Sequence, residues 1–134
     1  MARPISCTSD RRSRRTFLPA GNGRFANNLV FFDRGLLSVF VNVGAGTAPG
    51  TFAFANNLWY AHDAPASSTP SLPAAELAAV IGLDPGFTDA AGGDYSIGAA
   101  SPAAGKGERI AGVSGDFSGR CYGNPPAIGA FEAR

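Results

Sequence analysis

The sequence predicts an all-β chain coiled as a solenoid, and three observations carry that prediction. Phe25-Ala26-Asn27-Asn28-Leu29 recurs as Phe54-Ala55-Asn56-Asn57-Leu58, 29 residues further on. Each copy runs into large apolar residues, Val30-Phe31-Phe32 or Trp59-Tyr60, and then meets an acid, Asp33 or Asp63. The composition supplies the third: 18 Gly and 10 Pro among 134 residues break any long helical pattern, while hydrophobic residues make up 45% and charged ones only 16%. Short strands and turns repeated at a fixed period of about 20–50 residues are the sequence signature of stacked repeat folds.

The chain suffices for one domain, preceded by a basic tail over residues 1–20. Arg3, Arg11, Arg12, Arg14, Arg15 and Arg24 face only Asp10 in the first 24 residues, an excess of +5 that the remainder offsets with −4. Such a cluster can bind nucleic acid or an acidic polysaccharide. Its lack of apolar periodicity favours a solvated, poorly ordered tail, and without interleaved aromatics a nucleic-acid partner is not expected. Met1 to Phe17 lacks the apolar stretch of a signal peptide, and no apolar run reaches the length of a membrane span. Cys7 and Cys121 stand too far apart for metal-type spacing; a bridge between them is conceivable, but two unpaired thiols are the expectation.

Residues 21–134 are read as the terminal rungs of the stack. Asn27, Asn28, Asn56 and Asn57 suit rung corners. Asn tolerates the left-handed backbone of a sharp bend, and its amide can bond to the equivalent Asn in the next rung, so these four are expected to form structural turns and ladders. Between the copies, Gly35 to Gly44 reads as a strand with Leu37, Val39, Val41 and Val43 on one face. Ala64 to Pro73 is a loop. Pro73 to Gly82 reads as one short helix, with Pro73 in its first turn, Gly82 as its stop, and Leu77, Val80 and Ile81 on the face that covers the stack.

From Asp84 onward a chain of motifs appears in a fixed order: Asp84-Pro85-Gly86-Phe87, Gly93-Asp94-Tyr95-Ser96-Ile97, Ser101-Pro102-Ala103-Ala104-Gly105-Lys106-Gly107, Asp116-Phe117-Ser118-Gly119, and Ile128-Gly129-Ala130-Phe131-Glu132. This order resembles the C-terminal end of bacterial right-handed parallel β-helix proteins of the pectin-lyase-like superfamily. The likeness is close over the last fifty or so residues and looser over Phe25 to Tyr60. Ala104 stands where that family's turn usually carries an acid, and Cys121-Tyr122 replaces its basic-proline run. The resemblance implies a terminal fragment of a secreted or surface protein. It also implies a parent associated with polysaccharide, whose catalytic groove lies in other rungs, so no catalytic residue is carried over and no turnover is expected. The open end of such a stack is expected to meet upstream rungs or to self-associate.

Candidate chemistry is sparse. Trp59 and Tyr60 could offer flat rings to a sugar, with Arg34 pairing an acidic one and His62 nearby. Core packing is the competing reading of both rings. His62 beside Asp63 invites an acid–base reading, but adjacent residues rarely face one another. Asp84, Asp89, Asp94 and Asp116 match no calcium-loop pattern, so no metal or cofactor is expected and these acids, with Glu132, read as turn caps. Lys106 sits in a turn and is read as structural. The alternative to a carbohydrate-associated protein is a purely structural or adhesive cap with no ligand site.

Overall fold

A computed structural model describes residues 18–134, so most of the expected basic tail, and with it Cys7, lies outside the described residues. The chain is mostly strands and turns. Among the described residues the helical content is two single 3-10 turns, Pro49–Thr51 and Pro65–Ser67. No described helix is long and apolar enough to cross a membrane.

Two parallel three-stranded sheets form the frame. β1 (Arg24–Ala26), β3 (Ala53–Ala55) and β5 (Glu76–Leu77) pair in that order, and so do β2 (Leu29–Phe32), β4 (Leu58–Ala61) and β6 (Val80–Ile81). The two Phe-Ala-Asn-Asn-Leu copies lie side by side, with Phe25 against Phe54, Ala26 against Ala55 and Leu29 against Leu58. Between the sheets the chain turns at a two-residue corner. Its first residue takes a positive φ in every pass, 58° at Asn27, 51° at Asn56 and 52° at Ala78. The Phe25 ring, 36% exposed, stacks on Trp59 with centroids 6.1 Å apart.

The short helix expected over Pro73 to Gly82 is absent. In its place β5 and β6 make a third pass, laid against the second by Asn56 N donating to Leu77 O, Val80 N to Asn57 O and Gly82 N to Trp59 O, each at 2.9 Å. A ten-residue helix is marginal by itself, whereas the open edge of β3 and β4 supplies a partner for each of these groups. Leu77, meant for the helix's buried face, is 72% exposed. Gly82, read as a helix stop, instead lets the chain leave β6 at a φ of 71°, where a Cβ would stand 2.9 Å from Pro65 O.

The strand expected over Gly35 to Gly44 is also absent. That segment turns at once, with Leu36 N and Leu37 N both donating to Asp33 O. Val39 and Val43 remain exposed, because alternation without a neighbouring strand gives no ladder to join. The segment is anchored by Phe40, whose ring meets Phe32 and Trp59 edge-on at 5.5 and 6.0 Å.

The rest of the chain folds across one face of the β2-β4-β6 sheet. β7 (Phe87–Asp89) and β8 (Asp94–Ile97) form an antiparallel hairpin. Behind it, Ile97, Ala103, Ala127 and Ile128 pack on Leu58 and Tyr60, with Leu29, Val80 and Phe87 at the margin. Leu58 and Ile128 are fully buried, and this cluster is the core. The corners are clasped from the same side, as Asn56 Nδ2 donates to Lys106 O at 2.9 Å and Asn27 exchanges two bonds with the Glu108 backbone at 2.7 and 2.8 Å.

Candidate functional site

An apolar cleft of about 460 Å³ opens between the strand stack and the C-terminal segment. Its walls are Phe31 from β2, Phe87 and Tyr95 from the hairpin, and Phe131; Leu29, Ile97 and Ile128 form its floor. The hairpin pairing sets Phe87 opposite Ile97, which brings the Tyr95 ring edge-on to Phe87 at 5.3 Å. Phe31 tilts against Phe87 at 5.5 Å and against Tyr60 at 5.7 Å. Tyr95 is 52% exposed, so the cleft presents ring surface to solvent.

Polar groups gather at the Phe31 end. The His62 imidazole stacks on Phe31 at 5.1 Å with the rings 8° from parallel, and its side chain is 45% exposed. Its nearest carboxylate is Asp33, with Nε2 4.0 Å from Oδ2, and not the adjacent Asp63. Asp63 points back across the passes instead: Arg34 N donates to its Oδ1 at 2.6 Å and Gly35 N to its Oδ2 at 3.1 Å. The Arg34 amide bond chiefly holds the Asp63 carboxyl below the usual range. Burial, then nearby Asp84, pushes the Tyr60 phenol up.

The other candidates named from sequence sit elsewhere. Trp59 is 3% exposed, and its Nε1 donates to Glu76 Oε2 at 2.8 Å, so it has no open face. All of β4 is buried because both faces of the middle pass are covered, so neither Trp59 nor Tyr60 turns outward. The Arg34 guanidinium lies over Phe40, 5.5 Å from the ring centroid, and donates to Leu37 O. Lys106 is exposed, its carbonyl held by Asn56.

Asn28 N and Nδ2 both donate to Asn57 Oδ1, at 2.8 and 2.9 Å. The acids also have defined partners. Asp84, Asp89 and Asp94 accept from Gly86 N, Gly92 N and Ser96 N. Asp116 accepts from Ser118 N and Oγ, Arg120 N and Glu132 N, all within 2.9 Å. No three His, Cys, Asp or Glu side chains converge on a common point among the described residues.

No family model, curated protein or solved structure matches the chain. The cleft is therefore read from its own chemistry. Phe31, Phe87, Tyr95 and Phe131 carry no local motif, being spread over a hundred residues, and only the fold brings them together. Rings of this kind stack on the apolar faces of sugars, and His62, stacked on Phe31 outside the cleft lining, carries groups that can bond hydroxyls.

Proposed function

We propose that this chain is the terminal part of a right-handed parallel β-helix protein of the secreted or surface type, associated with polysaccharide and contributing a sugar-contact cleft without a catalytic groove. The observation that carries the functional reading is the open aromatic cleft beside the strand stack. The helical reading is supported by three passes turning at the same left-handed corner, and by the order of motifs from Asp84 to Glu132 that resembles the end of such proteins.

The test is titration with acidic and neutral oligosaccharides, followed by nuclear magnetic resonance of the aromatic side chains. Saturable shifts are expected at Tyr95 and Phe87, with binding about tenfold weaker in Tyr95→Ala, the loss of about 1–3 kcal/mol of ring stacking or burial. Tyr95 is half exposed, so that variant keeps the fold. Unchanged affinity in Tyr95→Ala, or an unsaturated sugar product, would overturn the reading.

A second reading, a cap with no ligand site, is favoured by one observation: Trp59, the largest ring, is committed to Glu76 inside the stack.

A further inference from the structure

The bonds that end on side-chain oxygens at the corners have a direction, while Asn57 Nδ2 also reaches back to Phe25 O at 3.0 Å. Asn28 N and Nδ2 both donate to Asn57 Oδ1. One pass on, Asn57 N and Nδ2 both donate to Glu76 Oε1, at 3.1 and 2.6 Å. Each step therefore hands two donors to one oxygen of the following pass. Both Glu76 oxygens accept, Oε1 from Asn57 and Oε2 from the Trp59 indole, so the ladder stops there. At the other end Asn28 Oδ1 stands where Asn57 Oδ1 stands one pass later, yet no described residue donates to it.

The main chain at that end is open in the same direction. Leu58 N bonds Asn28 O and His62 N bonds Phe32 O, so the even-numbered groups of β2 face β4. By alternation the N–H and C=O of Leu29 and Phe31 face away from it. Leu29 also heads an apolar column with Leu58 and Val80, and it is the member of that column that lines the cleft.

From these three features we infer that the β1–β2 edge is a docking surface for a parallel segment, supplied by another chain, with the same apolar-small-Asn-Asn-aliphatic pattern. Its corner Asn donates N and Nδ2 to Asn28 Oδ1, and its second strand pairs with Leu29 and Phe31. The argument is one of partial charge against partial charge, because the edge offers an acceptor and needs a double donor. A second copy fits badly. Related by a two-fold axis it sets one Asn28 Oδ1 against another; head to tail it offers Ala78-Ala79, which has no side-chain amide. The inference rests on the coiled reading of the stack and is independent of sugar binding.

The probe is a synthetic peptide with the sequence of residues 47–62, which carries the required pattern, added to the isotope-labelled protein. Saturable binding is expected, with amide exchange slowed at Leu29 and Phe31. A peptide with Ala in place of the Asn corresponding to Asn57 should bind about tenfold more weakly, as two hydrogen bonds are lost. Asn28→Ala in the protein should do the same, and the peptide variant tests the contact even where Asn28→Ala fails to fold. Equal binding of the two peptides, absence of binding, or a dimer of the free protein sealed through this edge would overturn the inference. Protection of the Leu58 and His62 amides in the free protein separates the cases: if they exchange slowly while Leu29 and Phe31 stay fast with peptide, only the docking fails. If they too exchange fast, the coiled reading itself is lost.

Discussion

Glu76 reaches back from the third pass to take the side-chain amide of Asn57 at 2.6 Å, and its second oxygen takes the indole N–H of Trp59. Asn57 is fully buried and Trp59 nearly so, and a buried donor without a partner costs about 1–3 kcal/mol. Glu76→Gln replaces one acceptor oxygen with an NH2 that must face a donor, either the Asn57 amide or the Trp59 indole. That variant should lose about 1–3 kcal/mol, read as a lower urea midpoint at unchanged slope. A midpoint equal to wild type would show that water serves these donors as well as Glu76 does.

Ala78 holds a φ of 52°, where Asn27 and Asn56 occupy the equivalent corners. Left-handed backbone costs an ordinary L-residue about 1–2 kcal/mol and costs Gly nothing. Ala78→Gly should therefore stabilise the protein by about 0.5–1 kcal/mol, the relief of strain less the extra chain entropy of Gly. Ala78→Asn should stabilise it too, as Asn visits this region more readily than Ala. The matching test at an occupied corner is Asn56→Ala, which should destabilise by about 1–2 kcal/mol, because it adds strain and removes the bond to Lys106 O. Thermal melts of the three variants decide the matter. Destabilisation by Ala78→Gly would contradict the corner geometry.

These two sites also mark where the sequence stops being legible. The first two passes can be read because they repeat five residues at a constant spacing, and the fold pairs them residue for residue. The third pass is hidden. It comes only 22 residues after the second, pairing Glu76 with Phe54, and it replaces Asn-Asn with Ala78-Ala79. Ala, Glu and Leu are strong helix formers, so local propensity pointed to a helix, while the deciding factor was an unpaired strand edge built elsewhere in the chain. Gly35 to Gly44 erred in the opposite direction, with a strand pattern and no partner edge to use it. The cleft is least legible of all: its four rings come from three separate segments, β2, the hairpin and the C-terminal segment, whereas the adjacent Trp59 and Tyr60 are inside.

The middle pass carries the core. Leu58 is fully buried between Leu29 and Val80 in its own sheet, and belongs to the cluster with Ile97, Ala127 and Ile128 from the C-terminal segment. Leu58→Ala removes three methyl-sized groups where two parts of the chain meet, and should cost about 2–5 kcal/mol. The size of the loss reports how far the C-terminal segment can settle onto the sheet. A loss under about 1 kcal/mol would mean that the segment is not packed there as described.

Asp116 ties the closing turn to Glu132, and its acid response has a definite sign. Burial pushes its carboxyl up, but the amides of Glu132, Arg120 and Ser118 and the Ser118 hydroxyl outweigh that, bringing the pKa from 3.8 down to about 2. A group with a lowered pKa in the folded protein adds stability that is fully present above its unfolded value, and the unfolded chain takes the proton first as pH falls. Its contribution is thus intact above about pH 4 and drains away between about pH 4 and 2. Asp116→Asn removes that titration and leaves one amide N–H facing donors, so it should be less stable than wild type at pH 7. Its urea midpoint should also fall less steeply than that of wild type across the same interval. Parallel midpoint curves for the two proteins from pH 4 to 2 would show that Asp116 is not the group that responds to acid in this window.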